Sequence, residues 1–401
     1  MKVTLENIYT VLFSVLCFSL SFIGDRFYAI PNGINISLVL IFPFLVNKQK
    51  FIAHIVKKPI VWFAVFLSFI LVKSALLGHF LEDISVIKKL SQVLLLLILS
   101  CGIKPKSTDT LKSGVVLGTL IAVIYSVIKI GIIVIQTTTF NFAKGPIINE
   151  TLPVQRLYLG LLCTISLIFV LERFFKNRQK LNLFLAVLFI LFIFLIAARI
   201  AIISVLIVII YYVFTMIKKA KHKYIVLLLI ISATSMVVLS NNNLSKRILH
   251  LDDTFRETYV DKIAMHEPRF LIWKYSYEAL QSTNLFLGNG FNRTEEKLVS
   301  SYKKIPQLKK RGWFINKRFN THNQYIDIAL SQGFIGLSLF LIFLFQLFVI
   351  AKKSHSDFLL LLSALIYMLV YNNFHRVIGV YIFSLIFIFI LEKSNYQKLK
   401  K

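Results

Sequence analysis

Acidic side chains are scarce in this chain, and none lies in the middle of a long apolar run. Eighteen of the 401 residues are Asp or Glu. All sit in connecting segments or at segment ends, apart from Asp327. Ion-coupled transporters generally keep a carboxylate at mid-membrane to bind the coupling ion, so its absence argues against that class. Cysteine is also scarce. Cys17, Cys101 and Cys163 lie far apart in apolar segments, which speaks against a disulfide framework or a cysteine metal cluster. Charged residues are only 16% of the chain, where soluble proteins average about a quarter. No metal constellation is visible: Asp252-Asp253 is a lone acidic pair that reads as a cap or surface group. The first apolar stretch, IYTVLFSVLCFSLSFIG, has no small-residue cleavage site after it and is followed by further apolar segments, so it reads as a span rather than a signal peptide.

What the chain has is hydrophobicity, at 57% of residues and a mean hydropathy of +0.75. Apolar windows long enough for a span fall at 8–24, 28–46, 60–78, 86–103, 114–136, 157–172, 181–197, 200–217, 224–240, 334–350, 357–372 and 377–391. The expected fold is an all-α polytopic membrane protein of about 12 transmembrane helices with one large, partly helical outer loop. Residues 1–240 would carry the first nine spans, 241–321 the loop, and 322–401 the last three spans and a tail.

The net charge of +28 is that of a nucleic-acid binder, but its distribution follows a membrane. Alternate connections are basic: NKQKFIAHIVKK, KPKSTDTLK, ERFFKNRQK, KKAKHK, AKKSHSD and the tail EKSNYQKLKK. With Lys2 they hold 22 of the 46 Lys and Arg. By the positive-inside rule these face the cytoplasm, as do both termini. The 241–321 loop holds 15 Lys/Arg against 8 Asp/Glu. That excess on the outer side points to an anionic ligand, the alternative being a solvated surface that faces lipid headgroups.

Within that loop, EPRFLIWKYSYEALQ places Phe270, Trp273, Tyr277 and Leu280 at helical spacing, with Pro268 in the first turn. Gly288 and Gly290 then require a turn. The basic, aromatic stretch SSYKKIPQLKKRGWFINKRF follows and is expected to cover a site. Three cations or titratable groups fall on the outer side. Arg199 sits at the hairpin between the seventh and eighth windows, and a guanidinium there is costly unless it reaches the interface or an anion. Arg269 opens the loop helix, where free N–H groups also favour an anion, and its planar fork suits phosphate. His322 precedes the tenth window. A continuous helix over 322–350 would align it with Tyr325, Ala329, Gly333 and Gly336 on one face of mostly small residues. Lys73 reads as a snorkelling residue, Lys129 as a deeper residue lining a cavity, and Asp25, Glu82 and Asp83 as outer-loop acids that suit a catalytic base or an interface cap equally.

THNQYIDIALSQGFIGLSLFLIFL, with His322 and Gly333-Phe334-Ile335-Gly336-Leu337, resembles the O-antigen ligase and polymerase family of bacterial envelope proteins. So does RFLIWKYSYEALQSTNLFLGNGF, with Arg269, Trp273, Leu287, Gly288 and Gly290. The hairpin AARIAIISVL is similar to the family's Ser-Arg-Gly element, although Ala198 and Ile200 replace its Ser and Gly. The resemblance implies a GT-C-like, metal-independent, inverting glycosyltransferase of the bacterial inner membrane that uses no cofactor. Its donor would be a glycan on undecaprenyl pyrophosphate. Its acceptor would be lipid A-core in a ligase, or a second lipid-linked glycan in a polymerase. His322 would be the base, with Arg199 and Arg269 on the diphosphate at the periplasmic face. A lipid-linked oligosaccharide flippase or a scaffold binding anionic surfaces are the readings from other classes.

Overall fold

The computed structural model describes residues 4–23, 29–104, 107–137, 145–240 and 267–398. Asp25, Asp252, Asp253 and the 241–266 part of the large loop lie outside them. The described residues form α-helices and short 3₁₀ turns, and no strand occurs among them. All twelve apolar windows fall on helices. Among the described residues, seven helices are long and apolar enough to cross a membrane, including Lys58–Leu76, Phe80–Gly102, Arg156–Asn177, Arg199–Met216 and Gln324–Ala351. Ala29–Leu45, Lys180–Leu195, His355–Val370 and Val377–Glu392 are shorter apolar helices. The remaining window falls on Ala220–Ser240. The chain is a multi-pass membrane protein.

In chain order the helices are α1 Leu5–Ser19, α2 Ala29–Leu45, α3 Lys48–Ile55, α4 Lys58–Leu76, α5 Phe80–Leu99 and α6 Thr108–Thr137. There follow α7 Gly145–Thr151, α8 Arg156–Asn177, α9 Lys180–Leu195, α10 Arg199–Met216 and α11 Ala220–Ser240. The last six are α12 Pro268–Gln281, α13 Phe291–Tyr302, α14 Leu308–Lys317, α15 Gln324–Ala351, α16 His355–Val370 and α17 Val377–Lys398. They divide into two compact units.

The first unit comprises residues 1–9, 38–106 and 259–401. Here α15 packs on α4, α16 and α17, and α5 packs on α4 and α17. Phe63, Phe66, Phe340, Phe343 and Phe387 interlock at ring separations of 4.9–6.1 Å. Helices α12–α14 build a core of their own from Ile272, Tyr275, Ala279, Leu298, Tyr302, Ile305 and Phe314, closed against Leu330 of α15. Each such buried apolar side chain contributes roughly 1.5–3 kcal/mol. The buried face of α12 is therefore Ile272, Tyr275, Ser276 and Ala279. The stripe expected from the sequence is split, because Phe270 and Tyr277 are exposed while Trp273 and Leu280 are only partly buried. Rings at i, i+3 and i+7 give the period of the helix and leave open which face meets the core.

The expected continuous helix over 322–350 is also corrected. Helix α15 begins at Gln324, and Gly333 (φ 66, ψ −172) breaks it. The break is repaired by the turn 285–290. The N–H groups of Phe334 and Ile335 leave the helix and donate to Leu285 and Phe286 carbonyls (2.8 and 3.3 Å). The carbonyls of Leu330 and Ser331 accept instead from Asn289 and Gly290 (3.0 and 2.8 Å). Backbone groups at membrane depth must be satisfied inside the protein, and this exchange does so. Gly288 (φ 68) and Gly333 approach so closely that a Cβ on either would meet the other segment's backbone. The LGNG turn and the Gly333 break are thus one feature, and the apolar window beginning at residue 334 is the helix beyond it.

The second unit comprises residues 10–37 and 107–258. Helix α8, buried along most of its length as far as Val170, packs on α6, α9 and α10. Gly114 and Gly118 bring α6 against the Ser14 and Phe18 backbone of α1.

Candidate active site

The segment Phe319–Asn323 leads into α15 and holds His322. His322 has φ 46, in the left-handed region. This region costs most L residues about 1–2 kcal/mol, and His is among the residues that tolerate it. The side chains around it fix the turn. The His322 N–H donates to Asn320 Oδ1 (3.1 Å). Asn323 caps α15 by accepting from the Tyr325 and Ile326 N–H groups (2.9 and 3.1 Å). Buried Thr321 donates to Asn372 Oδ1 at 3.0 Å.

The imidazole lies between the rings of Phe319 and Tyr371, at 5.8 and 5.5 Å. Its Nδ1 is buried and has no hydrogen-bond partner among the described residues. Burial, with the positive charges of Arg269 and Arg376 nearby, lowers the His322 pKa to about 4. The group is neutral at physiological pH, with a ring nitrogen free to accept a proton.

Arg269 stands in the first turn of α12, behind Pro268. Its Nε donates to the Val370 carbonyl (3.3 Å), and its Nη1 forms a 2.6 Å ion pair with Glu267. The structure thus brings His322 and Arg269 together. It adds a carboxylate that competes for the same guanidinium.

Sequence reasoning passed over the segment Tyr371–Arg376 between α16 and α17. It supplies Tyr371 and Arg376, whose guanidinium lies 5.9 Å over the Tyr371 ring. It is tied down by His375, which meets Asp327 Oδ2 at 2.7 Å, and by Lys89, which donates to the His375 carbonyl at 2.9 Å. Gln324 Oε1 accepts from the Phe374 N–H (3.1 Å). The signal was available: YNNFHR is a polar, aromatic interruption between two apolar windows. Asp327, the one acid beyond the segment ends, anchors this loop.

Lys73 does not snorkel. It is buried, and its Nζ donates to the Leu287 and Ser331 carbonyls (2.7 and 2.6 Å). Asp83 accepts from the Asn292 N–H at the start of α13 and from Ser74 (3.0 and 3.1 Å), which is the part of a cap. Below Lys73 runs an open groove of about 860 Å³ lined by Ile60, Ala64, Ser68, Val72, Leu287 and Leu339 among other apolar residues. It reaches from Phe51 on α3 to Leu77 at the far end of α4.

Arg199 lies in the second unit, at the first position of α10, after a hairpin in which Ala197 has φ 49. Arg156, at the first position of α8, donates from Nη1 to the Ile196 carbonyl of that hairpin (3.3 Å). Lys129 donates to the Glu150 carbonyl (3.0 Å) and lies over Tyr125. Trp273 Nε1 is buried without a partner among the described residues. Gly336 packs against Gln332 and Phe69. Among the described residues, no three His, Cys, Asp or Glu side chains are grouped to hold a metal ion.

No curated protein matches the chain. A family model described as O-antigen ligase matches residues 184–341. That span includes Arg199, Arg269, the Gly288–Gly290 turn, His322 and the break at Gly333. Over this segment, less than half of the chain, the protein is similar to the O-antigen ligase family.

Proposed function

We propose that the protein transfers a glycan from undecaprenyl pyrophosphate to a sugar hydroxyl at the outer face of the bacterial inner membrane, as an O-antigen ligase acting on lipid A-core. The match of residues 184–341 to the O-antigen ligase model supports transfer of ligase or polymerase type. The observation that carries the chemistry is the His322 imidazole: neutral, with a buried and unpartnered Nδ1, between two guanidinium charges.

In this reading the acceptor oxygen attacks the anomeric carbon of the donor and inverts it. The bond from that carbon to the diphosphate oxygen breaks, and its electron pair leaves with the diphosphate. The hydroxyl proton passes to His322. A positioned base of this kind is worth about 10²–10⁴-fold in rate. Arg269, in the same unit as His322, holds the diphosphate and offsets the charge that develops as it leaves. A bound dianion also counters the guanidinium charges on His322 and raises its basicity when it is needed. No metal ion takes part. The groove along α4 receives the polyprenyl chain, and the basic segment 303–318 covers the head group. About 12 spans with both termini in the cytoplasm would set this site at the periplasmic side.

Purified protein with a lipid-linked glycan donor tests this. Transfer to lipid A-core that is lost in His322→Ala and unaffected by chelator supports it. Transfer that survives His322→Ala removes the base. Chain growth on a second lipid-linked glycan, without transfer to lipid A-core, would make it a polymerase.

A further inference from the structure

The His322 imidazole has two unlike sides. On one, the Tyr371 ring lies at 5.5 Å, with the Arg376 guanidinium over it at 5.9 Å and Arg269 bonded to the preceding carbonyl, that of Val370. That side gathers guanidinium groups, one of them shared with Glu267. On the other side the Phe319 ring lies at 5.8 Å. Beyond it stands Trp313 of α14, 4.8 Å from Phe319. This side is aromatic and leads outward, since Trp313 is 44% exposed.

A single exposed aromatic residue is ordinary on a protein surface. Trp313 differs in how firmly it is held and in where its support leads. Fully buried Phe314 anchors α14 in the core and meets the indole at 5.2 Å and 82°. Phe319 meets it at 68°, and the Phe319 carbonyl accepts from the Tyr302 hydroxyl (2.9 Å). Both ring contacts are steep, so neither neighbour lies flat over the indole. A side chain fixed in this way loses little freedom on binding. The indole face is the negative part of the ring quadrupole. One face of a pyranose presents a row of weakly positive C–H groups, which is its complement. Lys310 and Lys317 stand one helical turn before and after Trp313 and offer donors to hydroxyls at the rim of such a ring.

We propose that Trp313 is a stacking platform for the acceptor sugar, placed so that the sugar's hydroxyl reaches His322 from the aromatic side while the donor's diphosphate occupies the other. This rests on the transfer reading for His322 as the base. A sugar site at Trp313 stands on the exposed indole and its supports.

The test uses the purified full-length protein in detergent and two lipid-free probes, core oligosaccharide released from lipid A and the oligosaccharide of one repeat unit. Core oligosaccharide should quench the part of the fluorescence that Trp313→Phe removes. Trp313→Ala should weaken its binding by about 10-fold. In the transfer assay Trp313→Ala should raise KM for lipid A-core by a similar factor and leave kcat, and KM for the lipid-linked donor, within about twofold. Trp313→Phe keeps an aromatic face and should fall between wild type and Trp313→Ala. It also decides the matter should the Ala variant not fold. Wild-type affinity for both oligosaccharides in the variants that fold would overturn the proposal. So would a Trp313 quenched by brominated phosphatidylcholine in nanodiscs and indifferent to sugar, which would make it a membrane anchor. Binding of the repeat unit alone that depends on Trp313 would keep the platform and correct the acceptor. Oligosaccharide binding that depends on Trp313, in a protein whose transfer survives His322→Ala, would keep this site and remove the base.

Discussion

The Lys73 ammonium donates at 2.6 Å to the Ser331 carbonyl, which the break at Gly333 has deprived of its helical donor. A second bond, at 2.7 Å, reaches Leu287 in the turn that inserts against the break. One buried cation therefore ties α4 to both halves of the exchanged backbone. Replacement by Met keeps the length of the side chain and removes both bonds. Hydrogen bonds from charged donors are worth about 1.5–3 kcal/mol each, so Lys73→Met should lower the thermal unfolding midpoint of the detergent-purified protein clearly. The exposed Lys309 of α14, replaced by Met, serves as the control and should change it little.

Gly333 tests the same feature from the backbone. A Cβ there would strike the Phe286 carbonyl, at a φ that L residues rarely adopt. Gly333→Ala should cost more than the roughly 1 kcal/mol that separates Gly from Ala in an ordinary helix, and with the opposite sign. Size-exclusion chromatography should show loss of the monodisperse peak. Gly131, around which a Cβ meets nothing within 4 Å, should accept Ala without loss.

Much of this was legible in the sequence. Apolar windows found the helices because burial in lipid demands long unbroken runs. The positive φ of Gly288 and Gly290 followed from LGNG. Gly333 was read as one small residue on a helical face, since a period cannot reveal that two distant segments exchange hydrogen bonds. Lys73 was assigned to the interface for the same reason: its partners are carbonyls of Leu287 and Ser331, and carbonyls carry no sequence signal. The buried face of α12 was not legible, because aromatic rings at helical spacing mark a helix without saying which side meets the core. Arg156 was hidden because only folding brings the start of α8 beside the hairpin at Ala198-Arg199.

His322 makes a prediction about pH. Its pKa is near 4 when folded against about 6.5 when unfolded. The unfolded chain therefore takes up the proton first, and stability falls as pH drops from about 6.5 towards 4. His322→Gln should remove that part of the acid sensitivity. For catalysis, kcat/KM should hold its value down to about pH 5 and fall below it. The acid limb of kcat should lie at higher pH, because the bound diphosphate offsets the arginine charges.

The groove along α4 predicts a chain-length effect. Ser68→Trp places a bulky ring in the lining of this groove. KM should rise several-fold for a donor on undecaprenyl and change little for one on farnesyl, while kcat stays within about twofold. An equal rise for both donors would place the prenyl chain elsewhere.

Glu267 gives the sharpest test of Arg269. The carboxylate holds Nη1 at 2.6 Å, so a diphosphate must share that guanidinium or displace its partner. If Arg269 grips the donor, Glu267→Gln removes a competing anion and should lower KM about 3–10-fold, an effect that shrinks as salt is raised. Glu267 also raises the His322 pKa, so the same change should move the acid limb of kcat/KM to lower pH. A structural role for the ion pair predicts the reverse: loss of one partner would loosen the start of α12, raise KM and lower the unfolding midpoint. Measuring KM, the acid limb and the unfolding midpoint on one variant separates the two, since only a donor contact improves affinity while stability is lost or unchanged.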